Sequence, residues 1–168
     1  MKTARIRLYT PADWFGRAIS WRLESRYCHA AIEMDDVVFS ATYPHILMLP
    51  AGQEDVAQPP RGGAVFELQM TEAQFEATKH WCRARVGRDY DWLSIIGWLF
   101  RIESFQLRYG MYCFEFVLAA LGAAGLLPVT KQFVSGDELV AMLLEHGATQ
   151  VRPAAIMAGG SACDRSAA

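Results

Sequence analysis

The stretch "HAAIEMDDVVFSAT", residues 29–42, constrains the fold more than any other. Two short runs rich in Val, Ile and Phe flank a pair of aspartates, the pattern of two strands joined by a tight turn. If Asp35 and Asp36 form a two-residue turn, residue 31 lies opposite 40 and residue 29 opposite 42. Side chains alternate along a strand, so Ala30 and Ile32 face a core while His29, Ala31 and Glu33 face the other way. Ser40 and Thr42 then share the face of His29. The chain must therefore build an antiparallel sheet with one face covered.

The remaining segments supply the cover. "ARIRLYT" alternates as a first strand, and "PADWFGRAISWRLESR" has Trp14, Ile19 and Leu23 at helical spacing. Prolines and glycines crowd "YPHILMLPAGQEDVAQPPRGG", which reads as one long loop from Tyr43 to Gly63 and the natural cover for a substrate groove. "AVFELQM" resumes a strand. "TEAQFEATKHWCRARVG" is a helix with Thr71 and Gln74 as a capping box and Gly87 as its stop. "DYDWLSIIGWLF" reads as a helix opened by Asp89 or Asp91, the Cys113 helix follows, and "SGDELVAMLLEHG" begins at Ser135 or Asp137 and ends at Gly147. At 168 residues and 52% hydrophobic, the chain suits one core. The expected class is α+β, a small, mostly antiparallel sheet flanked by helices, in one domain over residues 1–152 with a flexible tail over 153–168.

A net charge of −2 without runs of like charge argues against nucleic acid and anionic membranes as partners. "FVLAALGAAGLLPV" is broken by Gly122, Gly125 and Pro128 and is too short to cross a bilayer. The start of the sequence lacks the apolar region of a secretory signal, so a cytoplasmic location is expected, with Cys28, Cys82, Cys113 and Cys163 as free thiols. "YCH" and "HWC" do not have metal-ligand spacing, and no nucleotide, metal or flavin motif is present. No cofactor is expected.

Cys113 sits in the first turn of an apolar helix, where unpaired N–H groups and the helix dipole stabilise a thiolate and can bind an oxyanion. A cysteine nucleophile also needs a base and a group that orients it. His29, on the polar side of its strand, is the candidate base, and Ser40 or Thr42 can hold its ring. By itself Cys113 reads more readily as a small buried apolar residue, and His29 as a partly exposed strand histidine.

Three motifs in order carry a resemblance: "GRAISWRLESRYCHAAIEMDDVVFSA", "VGRDYDWLSIIG" and "YCFEFVLAALGAAG". Together they resemble the circularly permuted branch of the NlpC-type papain-like hydrolases over residues 11–147. The resemblance implies a papain-like fold and a cysteine peptidase or amidase. Cys113 falls on the nucleophile, His29 on the base, and Ser40 on the third polar position, which in that family is often Glu or His. It assigns Tyr90 to the neighbourhood of the nucleophile, and Tyr112 joins it as a substrate-binding candidate. Phe114 stands where Ser commonly follows the nucleophile, and Glu115 keeps an acidic position. The His-before-Cys order is also similar to the lecithin retinol acyltransferase group, whose members move acyl chains on lipids. The implied partner is a small peptide or acyl-bearing substrate, with cell-wall-type peptides first, acyl-lipid esters second, and a catalytically inactive binding module as the remaining alternative.

Overall fold

The computed structural model describes residues 1–53, 62–91, 111–128 and 134–151. Strand β1 (Lys2–Tyr9) leads through helix α1 (Trp14–Arg22) to β2 (His29–Met34), β3 (Val37–Ala41), β4 (Ile46–Pro50) and β5 (Gly63–Met70). Helices α2 (Glu72–Arg83), α3 (Cys113–Ala123) and α4 (Gly136–Glu145) follow, and β6 (Thr149–Val151) closes the order. The strands form one sheet, β4-β3-β2-β1-β5-β6, with every neighbouring pair antiparallel. The chain is α+β, an antiparallel sheet packed against helices.

The aspartate turn is formed as the sequence predicts. Asp35 and Asp36 have φ of 49° and 57°, the paired left-handed conformations whose twist suits a two-residue hairpin. The pairs Ile32↔Phe39, Glu33↔Val38 and Met34↔Val37 follow the register that turn requires. Ala30, Ile32, Met34, Phe39 and Ala41 accordingly join the main core, while Ala31 and Val38 join Tyr9 in a second cluster.

Helix α3 lies in the main core. Its sequence, CFEFVLAALGA, is apolar nearly all round, which suits a helix enclosed by neighbours rather than laid on a surface. It packs on β2 and β3, with α2 and α4 beside it. Phe116, Val117, Ala120 and Leu121 have no exposed surface, and Trp81 of α2 meets Phe116 with ring centroids 5.5 Å apart. Burying each large apolar side chain contributes about 1.5–3 kcal/mol. Thr71 and Gln74 close the capping box of α2, and Ser135 and Glu138 that of α4.

Three expectations need correction. The loop over residues 43–63 contains β4: Ile46 to Pro50 pair with Ala41 to Val37, so burial of Ile46 and the open edge of β3 override the flanking prolines. Strand β6 is absent from the sequence reading, because three residues carry too little periodicity to stand out. Trp14 does not face inward with Ile19 and Leu23: it is 79% exposed, and Gly16 is the one buried residue of α1. Of the helix expected over 89–100, Asp89 and Tyr90 instead form isolated bridges to His45 and Met111; residues 92–100 and the tail from 153 to 168, with Cys163, lie outside the described residues.

Candidate functional site

Cys113 is the first helical residue of α3, with Tyr112 as the N-cap in extended conformation. The Tyr112 side chain does not cap the helix. Glu115, three residues on, accepts from the Tyr112 N–H, and the Cys113 and Phe114 N–H groups are directed at the Cys113 sulfur. A third main-chain donor comes from the sheet. The β2–β3 ladder ends at Ile32↔Phe39, and at the open end of β2 the Ala30 N–H hydrogen-bonds the same sulfur.

The Tyr90 hydroxyl is also hydrogen-bonded to Cys113. Main-chain contacts explain its position. Tyr90 N–H donates to the Pro44 carbonyl at 2.9 Å, Ile46 N–H to Arg88 at 2.9 Å, and Gly87 N–H to Ile46 at 2.9 Å. His45 and Asp89 add an ion-pair contact of 3.2 Å. On its other side Tyr90 bridges Met111, two residues before the cysteine. The β3–β4 connection therefore clamps the segment that carries Tyr90 rather than simply crossing the surface.

The Cys113 thiol is 3% exposed, and burial pushes its pKa up to about 12 against the three N–H groups that favour the thiolate. Nearby Cys28 acts in the same direction as burial. Helix position alone points to a depressed value; here loss of water outweighs it. Burial also raises Tyr90 well above the usual phenol range, with the adjacent cysteine adding to the effect. Glu115 is raised by burial, opposed by the Tyr112 N–H and assisted by the charge of Asp91, itself 2% exposed.

His29 opens β2 opposite Tyr9, and the two rings lie 5.6 Å apart at 38°. Its Nε2 is 2.9 Å from Ser40 Oγ, and both side chains are buried. Ser40, one of the two residues that strand parity offers to the His29 ring, is the observed partner. Alternation assigns His29 to the face of Tyr9 and Ala31, while Ala30 faces α3. The structure brings Cys113 together with Tyr90, and His29 together with Ser40. It sets the two pairs at the same end of β2, joined by adjacent residues His29 and Ala30, and not on one face of the sheet.

Tyr112 turns to a structural contact: its hydroxyl accepts from the Val134 N–H at 2.7 Å, tying the start of α3 to the approach to α4. Burial raises its pKa, opposed by that N–H. Two contributors escape the sequence reading. Ala30 acts through its main chain, which no side-chain pattern reveals. Cys28 shares the strand parity of Ala30 and its thiol lies 3.6 Å from the Tyr9 carbonyl, so parity is the signal that it lies on the thiol side. No group of His, Cys, Asp and Glu able to hold a metal occurs among the described residues. No family model matches the chain, and no curated protein matches it in sequence.

Proposed function

We propose that the chain is a cysteine hydrolase of the papain-like, circularly permuted NlpC type, a peptidase or amidase working through Cys113 and His29. The observation that carries this reading is the convergence of three main-chain N–H groups on a cysteine at a helix start, at the strand end where Ser40 holds His29. Donors so arranged suit an oxyanion as well as a sulfur, and removal of one such donor from an enzyme costs on the order of a hundredfold or more in turnover.

With Ser40 accepting from Nε2–H, Nδ1 of His29 is the basic ring atom; because His29 and Cys113 lie on opposite faces of β2, the imidazole must swing around the strand end to take the thiol proton. The thiolate attacks the substrate carbonyl, forming an S–C bond, and negative charge develops on the carbonyl oxygen. Collapse of that species expels the amine, which leaves with the proton from His29. Water then attacks the thioester, giving its proton to His29; the S–C bond breaks, the acid departs, and the thiol is restored. Since the resting thiol is held protonated by burial, substrate must accompany its ionisation. Tyr90, bonded to the sulfur, orients it for attack.

A second reading, a binding module without catalysis, draws on the same raised thiol pKa. Assaying short peptide amides, cell-wall peptide fragments and acyl-lipid esters with wild type and Cys113→Ala separates the two. Turnover of peptide amides by wild type alone supports the peptidase; turnover of lipid esters alone replaces it with the acyl-lipid reading. Equal binding of one class to both proteins, with no turnover of any, replaces it with the module.

A further inference from the structure

Every large aromatic side chain that is exposed among the described residues lies at one end of the sheet. Trp14 (79%), Phe15 (49%) and Trp21 (78%) are on α1, and Tyr43 (70%) follows β3. Helix α1 joins the end of β1 to the start of β2, and β3 finishes at that same end, so connectivity puts α1 and Tyr43 at the strand end that carries His29 and Ala30. Scattered exposed apolar residues are ordinary; a concentration of this kind marks a contact surface.

The sequence of α1, WFGRAISWR, specifies what that contact is. Trp14 and Trp21 are seven residues apart and so lie within about 20° of one another around the helix, forming a ridge along its outer face. Arg17 stands about 50° to one side of that ridge and Arg22 about 90° to the other. The helix contains no acidic residue; Asp13, at its N-cap, is engaged with the Gly16 N–H at 2.6 Å. A chain of net charge −2 thus turns a locally basic face outward. Tryptophan prefers the boundary between water and hydrocarbon, and arginine extends from an apolar footing toward lipid phosphates. A partner protein would match the apolar ridge, but the charge flanking it is complementary to an anionic lipid surface.

We propose that α1 docks the protein on an anionic bilayer surface, with the Trp14–Trp21 ridge in the interface and Arg17 and Arg22 at headgroup level. This inference is independent of the thiol chemistry. The test is flotation of the full chain with vesicles of phosphatidylcholine alone and of phosphatidylcholine mixed equally with phosphatidylglycerol. The full chain floats with the mixed vesicles and poorly with the neutral ones. Trp14→Ala combined with Trp21→Ala weakens binding by about tenfold or more, and Arg17→Gln by about fivefold. Both sets of side chains are exposed, so circular dichroism and melting temperature stay unchanged. Cys113→Ala floats like the parent; its failure to do so would tie binding to the site and overturn the assignment to α1. Absence of flotation with either vesicle, equal flotation of the double tryptophan variant, or a tryptophan-dependent dimer in ultracentrifugation without vesicle binding each overturns the proposal. The last outcome gives the ridge to a second copy of the chain.

Discussion

Alkylation of Cys113 by iodoacetamide offers a quantitative check on how the site holds its thiol. An ordinary cysteine with a pKa of about 8.5 is roughly one-quarter thiolate at pH 8. A thiol pushed up to about 12 is ionised there to about one part in ten thousand. That difference alone slows reaction by more than about a thousandfold. The more basic thiolate is intrinsically more nucleophilic, with a Brønsted coefficient of about 0.4–0.5, which recovers about thirtyfold. Native Cys113 should therefore alkylate about a hundredfold more slowly than Cys113 of the urea-unfolded chain, with its 3% exposure slowing it further. Mass spectrometry of the labelled peptide against time, native and unfolded, gives both rates. A native rate within about tenfold of the unfolded one at pH 8, or labelling at pH 6 faster than in the unfolded chain, refutes the argument. The N–H groups and His29 would then outweigh burial.

Ser40→Ala removes the 2.9 Å contact to His29 Nε2 and should slow turnover by about tenfold while costing about 1 kcal/mol of stability; a silent Ser40→Ala beside a damaging Thr42→Ala would mean that another group orients the imidazole. Glu33, with a side chain only 5% exposed, bonds Arg5 at 3.2 Å and Arg7 at 2.7 Å, so Glu33→Ala should lower stability in urea by about 2–3 kcal/mol, reduced for the half-exposed Arg5. No change in the urea midpoint would show that the network is screened. The Cys82 and Cys113 thiols, which ordinarily titrate near 8.5–9, are pushed up to about 12 on folding. The unfolded chain loses these protons first, so their full stabilisation is present below about pH 9 and is lost as pH rises toward about 12, up to about 4 kcal/mol for each. Thermal melts from pH 8 to 11 should fall, and Cys82→Ala should flatten the fall; a level profile contradicts the burial argument.

Local rules made parts of the fold and site legible. A two-aspartate turn fixes strand register, register fixes parity, and parity puts Ser40 and Thr42 on the face of His29. Capping residues mark α2 and α4 because their side-chain acceptors answer unpaired N–H groups at the helix start. Other features depend on packing that sequence does not encode locally. "HILML" is bracketed by Pro44 and Pro50, which read as loop, yet β3 offers an edge and the core accepts Ile46. The period of α1 is helical, but only packing decides that Gly16 faces inward and Trp14 outward. The thiol shows the same division. Its place at the start of α3 follows from the apolar run after it, whereas its protonation follows from enclosure by Ala30, Tyr90 and the sheet.

The central claim is that Cys113 becomes acylated with His29 as its proton carrier, and acid-quenched intact-protein mass spectrometry tests it most directly. Wild type mixed with an activated ester of a short peptide should gain the mass of one acyl group on Cys113 and lose it with time. Cys113→Ala should gain none, and His29→Ala should acylate and deacylate at least about a hundredfold more slowly. Acylation that persists at full rate in His29→Ala, or that appears on another residue in wild type, contradicts the account.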